Sequence, residues 1–219
     1  MTHRNISTKV KTAKGRKLSS SLWLKRQLND QYVARAQKEG YRSRAAYKLL
    51  EIDSKFHIFS KNTTILDLGA APGSWSQIAI KNPASKVVAL DLLPMLPIKN
   101  VEFIQDDFTN EGVIEKIKTI IGDRKIDILL SDMSPNISGH KNTDHLRIVD
   151  LCELVFEFAK ENLAEHGVMV VKIFQGGTEN KLLKEIKKYF KKTHHFKPES
   201  SRKESAEMYL VAMDFHKVL

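Results

Sequence analysis

Cysteine is almost missing from this chain. Cys152 is the only one in 219 residues, which excludes an internal disulfide framework and fits a reducing compartment, so a cytoplasmic location is expected. Cys152 itself reads as a small buried hydrophobe on a helix rather than as a catalytic thiol. No apolar run approaches the roughly 20 residues that cross a bilayer, so no membrane association is expected. His194 and His195 have no partners at metal-ligand spacing, which argues against a zinc site, and the expected metal content is none. Internal repeats are not visible.

Negative charge is missing from the front, where no acidic residue precedes Asp30. The first 60 residues hold 14 Lys and Arg against 4 Asp and Glu, so they carry the whole net charge of +10. The remainder is neutral. A neutral body with a basic front implies a polyanionic partner engaged from that side, because clustered cations neutralise phosphates and release counterions. The alternatives are a solubilising tail or a mitochondrial transit peptide. Residues 1–20 carry six cations and almost no apolar content, so they are expected to be disordered when free. From Leu22 a basic helix is expected as far as Gly40. The division that follows is a basic extension over 1–40, disordered and then helical, and one domain over 41–219.

What the chain does contain is a strand running into a glycine turn and then a helix, Thr64-Ile-Leu-Asp-Leu-Gly-Ala-Ala-Pro-Gly-Ser-Trp-Ser76. Ile65, Leu66 and Leu68 suit a central strand, Asp67 lies towards its end, and Gly69 and Gly73 let the backbone turn and approach something closely. Ser74 is the candidate N-cap of the helix that carries Trp75 and Ile78. The G-x-G-x-x-G spacing that places a pyrophosphate on a helix N-terminus is missing, so the turn suits a ligand without phosphates. The next strand ends in Asp91, roughly 20 residues on, where a carboxylate can accept hydrogen bonds from both hydroxyls of a ribose.

Alternating strands and helices favour one α/β domain with a doubly wound, mostly parallel, Rossmann-like sheet. In such a sheet the carboxyl ends of the strands share one edge, and Asp67, Asp91, Asp107, Asp132 and Lys172 all fall at such ends. Further expected elements are a helix from Ser43 to about Lys55, a helix from about Asn142 to Leu163, a strand Val168–Val171 and a helix from Glu179 to about Lys192. A closing strand pair is expected over 193–196 and 208–215. Lys48 is either a snorkelling surface lysine or a site residue, and the lysines of the 179–192 helix are either a solvated face or an RNA contact.

The segments Asp67 to Ser76, Asp-Leu-Leu-Pro-Met (91 to 95), Ser-Asp-Met-Ser-Pro-Asn (131 to 136), Val-Val-Lys-Ile-Phe-Gln-Gly (170 to 176), Lys-Pro-Glu-Ser-Ser-Arg (197 to 202) and Glu207-Met-Tyr resemble the FtsJ-type ribosomal RNA 2′-O-methyltransferases. The resemblance covers roughly residues 22–213. One departure is Ser74, where the bacterial pattern usually has a second glycine. The resemblance implies S-adenosyl-L-methionine as cofactor, with Asp67, Gly73, Trp75, Asp91, Asp107 (at the adenine) and Asp132 as its binding residues. It also places a Lys-Asp-Lys-Glu tetrad on Lys48, Asp132, Lys172 and Glu207. In that assignment Lys172 is the base, Lys48 the neighbouring cation, and the two acids hold the amines; Glu204 is the competing candidate for the last position.

The implied activity is methylation of a uridine ribose in large-subunit ribosomal RNA by a monomer acting on the RNA within the large subunit. A 2′-O-methyltransferase of transfer RNA or of an RNA cap would share the tetrad, and an RNA-binding assembly factor with dispensable catalysis is the alternative of another class. The chemistry sets its own requirement, since a hydroxyl attacks a methyl carbon well only as its proton is removed. A lysine ordinarily titrates near 10.4, so a lysine base needs desolvation or a second cation beside it.

Overall fold

A computed structural model of the chain describes residues 24–25, 27–82, 86–135, 139–174 and 180–218. The basic front expected over residues 1–20 lies outside the described residues. Among those described, seven strands form one sheet: β1 (Thr64–Leu68), β2 (Lys86–Asp91), β3 (Val101–Gln105), β4 (Ile126–Ser131), β5 (Leu163–Phe174), β6 (Phe190–Phe196) and β7 (Glu207–Phe215). Their order is β3-β2-β1-β4-β5-β7-β6. The five strands from β3 to β5 are parallel, and β7 pairs antiparallel with both β5 and β6. The order reverses between β1 and β4, which makes the crevice above their carboxyl ends the expected ligand position.

Both faces of the sheet are covered because strand side chains alternate. Leu66, Leu68, Val88 and Leu129 face one core with helices α4 (Val113–Ile121), α5 (Lys141–Asn162) and α6 (Asn180–Tyr189). Ile65, Val87, Ile128, Leu130 and Val170 face the other, against α2 (Ala46–Phe56) and α3 (Ser74–Ala79). Cys152 is buried in the first of these cores, as expected of a small hydrophobe.

Several boundaries differ from the expectation. The basic helix is interrupted at Asn29 and Asp30, because the Asp30 side chain accepts from Tyr32 N and caps a new helix, α1 (Gln31–Glu39). Gly40, at φ 76°, ends α1 as expected. α1 meets α2 through a hydrogen bond from the Tyr47 hydroxyl to Glu39 and through the rings of Tyr32 and Tyr47, whose centroids lie 5.4 Å apart. The helix expected to reach Lys192 stops at Tyr189, since Phe190 pairs with Phe215 and opens β6. β5 is longer than expected, with a register shift in its pairing to β4. No described helix is long and apolar enough to cross a membrane.

Candidate active site

Strand register brings the carboxyl-end residues together. Leu68 lies beside Leu90 and Ser131, Asp91 beside Gln105, and Ser131 beside Val171. The residues that follow these ends, Asp106 and Asp107, Asp132 and Lys172, therefore stand along one edge with Asp91.

The glycine turn after β1 is the first wall. Gly69 and Gly73 both have positive φ, and a Cβ on either would collide with protein. At Gly69 it would lie 2.8 Å from the Met133 backbone, and at Gly73 2.8 Å from Ile98 and Met95. The close approach predicted for these glycines is thus an approach to neighbouring loops. Asp91 holds the turn from β2: one carboxylate oxygen accepts from Ala71 N at 2.8 Å, the other from Leu93 N at 2.8 Å. Arg42 clamps the outside, donating to the carbonyls of Pro72 (2.9 Å), Leu96 (2.6 Å) and Pro97 (2.8 Å).

The expected helix cap, Ser74, and two of the expected cofactor residues, Asp67 and Trp75, sit differently from their reading in sequence. Ser74 is not the N-cap; Gly73 takes that position, and the Ser74 hydroxyl instead shares a 2.7 Å hydrogen bond with Ser43. Asp67 lies inside β1 and is fully buried, and Ser76 Oγ donates to one of its oxygens at 2.6 Å while the other has no partner among the described residues. Burial pushes the Asp67 carboxyl up to about 7 against the bonds from Ser76, and Asp132 and Asp91 add to the rise. The Trp75 indole is buried in the core and donates to the Ala45 carbonyl at 2.8 Å, so its side chain is a packing element.

Farther along the edge, Asp107 Oδ1 accepts from Thr109 N and Oγ1 at 2.9 and 2.7 Å. Asp106 pairs with Lys116 at 2.6 Å, which together with Asn110 holds its carboxyl down to about 2, as suits a loop-fixing acid.

The second half of the edge brings the four tetrad positions into two ion pairs. Lys172 Nζ lies 2.7 Å from Asp132 Oδ1 and donates to the Asp132 carbonyl at 2.6 Å. Lys48 Nζ lies 2.6 Å from Glu207 Oε1, which also accepts from Ser201 Oγ at 3.1 Å. Tyr209 joins the pairs: its hydroxyl donates to Asp132 Oδ1 at 2.6 Å, and its ring centroid lies 5.8 Å from Lys48 Nζ. Burial opposes charge on Asp132, yet Lys172, Lys48 and the bonds from Lys172 and Tyr209 outweigh it and keep the carboxylate below its ordinary range. Burial, and then Asp132, pushes the Tyr209 phenol well above its ordinary value. Glu204 lines the same cleft as Lys48 and Glu207, but it is Glu207 that pairs with the lysine. Lys48, at 12% side-chain exposure and paired with Glu207, is largely buried and not a solvated surface lysine.

Sequence reasoning missed Tyr209 and Arg42. For Tyr209 a signal existed, because it stands two residues beyond Glu207 and therefore on the same face of β7. Among the described residues there is no group of three or more potential metal-ligating side chains.

A doubly wound sheet with an acid-lined edge at its switch point, continuing into paired lysines and acids, is the architecture of an α/β enzyme with its site at the strand ends. The chain belongs to the FtsJ-like methyltransferases, whose family pattern matches residues 41–215. Ribosomal RNA large subunit methyltransferase E of Rickettsia felis is 52% identical to it, over 97% of this chain and 96% of that one. The protein of the same name from Gluconobacter oxydans is 48% identical over 98% and 80%. Among solved structures, a ribosomal RNA methyltransferase from Plasmodium falciparum superposes with a TM-score of 0.75 at 38% identity, over 81% of this chain and 100% of that one. A hemolysin from Lactococcus lactis, at 17% identity and a TM-score of 0.55, shares the fold.

Proposed function

We propose that this methyltransferase moves the methyl group of S-adenosyl-L-methionine to the 2′-hydroxyl of a uridine in large-subunit ribosomal RNA. The observation that carries the reading is the paired-lysine centre, Lys172 with Asp132 and Lys48 with Glu207, set beside an acid-lined nucleoside edge.

The chemistry of the edge fits the cofactor. S-adenosyl-L-methionine is a cation with a ribose diol and no phosphate, and carboxylates suit it where they would repel a pyrophosphate. Asp91 would accept from the ribose hydroxyls; each of its oxygens takes one backbone N–H and has a lone pair left for a second donor. Asp107 would meet the adenine, the backbone of Gly73 and Trp75 would line the turn, and Asp132 Oδ2, which no described residue bonds, would face the cofactor. Asp67 would act from beneath, by fixing Ser76. When bound, the cofactor supplies a methyl carbon on a sulfonium and leaves as a neutral thioether.

Lys172 is the base in this reading. In its neutral form the amine takes the proton of the 2′-hydroxyl as the oxygen–carbon bond forms. Asp132 fixes that amine through its side chain and its carbonyl. Lys48, held by Glu207, is the second cation at the centre and would stabilise the oxygen as negative charge develops on it. The basic front would dock the RNA, and the enzyme acts as a monomer in the cytoplasm.

The experiment is transfer of labelled methyl from S-adenosyl-L-methionine by the purified protein to large ribosomal subunits from a deletion strain, with mapping of ribose methylation. Label at a single ribose 2′-oxygen of a large-subunit uridine is the expected result. Label on a base, on transfer RNA alone, or nowhere would overturn the reading.

A further inference from the structure

Two clefts open beside the lysine centre, and they meet at two arginines. One, of about 350 Å³, ends at Lys48 and Glu207. The other, of about 570 Å³, runs towards Asp30 and Tyr32 at the start of α1. Arg44 and Arg202 line both clefts. Each cleft also has acids of its own, Glu204 and Glu207 in the first and Asp30 and Glu199 in the second, so the two arginines are the charged side chains that the clefts share.

The two arginines are not equivalent. Arg44 is fixed: it bonds Asp30 through one nitrogen and the Ser200 carbonyl through another. Arg202 has only Asp30, at 3.9 Å, and its guanidinium makes no hydrogen bond among the described residues. One carboxylate therefore serves two guanidiniums. Burial, and next the nearby charge of Arg202, pull Arg44 below the ordinary guanidinium range.

The loop that presents Arg202 is built to hold still. Glu51 accepts from the backbone of Glu199 and Ser200, and Lys197 Nζ donates to the carbonyls of Lys203 and Ser205. Guanidiniums on a held loop, lining an open cleft with one shared counter-charge, are suited to an anion that can accept two hydrogen bonds at once, as a phosphodiester does through its two free oxygens.

We propose that Arg44 and Arg202 form the phosphate clamp for the RNA strand, gripping a backbone phosphate beside the acceptor nucleotide. This rests on the ribose-methylation reading above. A 2′-hydroxyl is vicinal to the 3′-phosphate of its own nucleotide, so a phosphate held at the arginine pair sets the distance from which the ribose reaches Lys172. Arg44 lies in the turn just before α2 and Lys48 in the first turn of that helix, and both line the same cleft, which keeps the clamp and the centre within a nucleotide's reach. Arg202 is a positioning residue in this scheme: it supplies the unsatisfied fork, while Arg44 supplies the rigid floor.

The test compares wild type, Arg202→Ala and Arg202→Lys on unmethylated large ribosomal subunits, with cofactor affinity by calorimetry and Tm as controls. For Arg202→Ala the expected result is a KM for subunits raised about tenfold, with cofactor affinity and Tm unchanged. The dependence of log KM on log salt should flatten by about 0.7 for a single-stranded contact or about 0.9 for a duplex one. Arg202→Lys should keep the salt slope, since the charge remains, and recover only part of the KM, since the fork is lost. An Arg202→Ala enzyme with unchanged KM and slope overturns the clamp while leaving ribose methylation standing. Loss of cofactor affinity or Tm in step with KM also overturns it, by making Arg202 a structural residue. Failure of the functional reading shows separately, as absence of transfer by the wild type.

Discussion

Lys172 and Tyr209 stand opposite one another in the antiparallel β5–β7 ladder, and both bond the same oxygen of Asp132, the amine at 2.7 Å and the phenol at 2.6 Å. Paired residues of antiparallel strands point to the same face, so the ladder register delivers both groups to one carboxylate. Asp132 thereby keeps its charge in a setting whose burial opposes it. Tyr209→Phe removes one charge-assisted hydrogen bond and should slow methyl transfer at saturating substrates about tenfold, with the fold intact by circular dichroism. Full activity in this variant would show that the phenol is a core ring and nothing more.

Lys172 is best tested by a substitution that keeps its charge. Lys172→Ala would leave Asp132 buried without its paired cation, which costs on the order of 3 kcal/mol or more and confounds a catalytic reading. Lys172→Arg preserves an ion pair but puts there a group that does not lose its proton near neutrality. The expected outcome is cofactor binding within a few-fold of wild type by calorimetry and no detectable transfer in a single-turnover assay. Measurable transfer by Lys172→Arg removes the residue from the base role.

Arg42 ties the glycine turn and the segment after β2 to the loop before α2, through the carbonyls of Pro72, Leu96 and Pro97. Arg42→Ala should loosen the glycine turn and the segment after β2 together. Cofactor affinity should fall about tenfold, and turnover at saturating cofactor should change less than threefold. Equal losses in both would place Arg42 at the reacting centre instead.

Strand ends and helix faces were legible in the sequence because they depend on neighbours two to four residues away. The apolar run ending at Ser131-Asp132 and the run delivering Lys172 needed only periodicity. The bonds that finish the site did not leave such a trace. Arg44 meets the carbonyl of Ser200, 156 residues away, and Ser74 meets Ser43 at a distance of 31. Nothing local to Ser74 distinguishes a helix cap from a side chain tied to another helix, and that is why the capping assignment failed. Phe190 shows the same limit from the other side: an apolar residue fits the end of a helix pattern as well as the start of a strand, and its pairing with Phe215 decides.

Asp67 gives the pH dependence a definite sign. Burial raises its folded value to about 7 from 3.8, so the native state retains a proton that the unfolded chain releases. The stability from this group is full below about pH 4, is lost as pH rises towards about 7, and is flat beyond. Asp132, shifted downwards, works in the opposite sense and loses its contribution only towards acid. In Asp67→Asn the titration is removed, so the Tm of wild type minus that of the variant should decline between about pH 4 and 7, by at most on the order of 4 kcal/mol in stability. Parallel Tm curves over this window would mean that Asp67 is ionised in the folded protein.

The basic front can be tested without disturbing the site, provided the cut respects Asp30. That residue caps α1 and holds Arg44, so a deletion reaching residue 30 would damage the arginine pair along with the tail. Removing residues 1–23 keeps α1 and its packing on Tyr47, and takes away six Lys and Arg. If these cations meet ribosomal RNA, each contact contributes roughly 0.7 to 0.9 to the salt slope, so the slope of log affinity for large subunits should fall by up to about five. Cofactor affinity should stay as it is, because every residue assigned to the nucleoside lies beyond residue 60. Methyl transfer should fall at low subunit concentration and recover at saturation, since the tail would dock the substrate and take no part in proton removal. A truncated enzyme with the full salt slope and unchanged KM would assign the front to targeting or solubility, and would leave the arginine pair and the exposed lysines of α6 as the places to look for the docking charge.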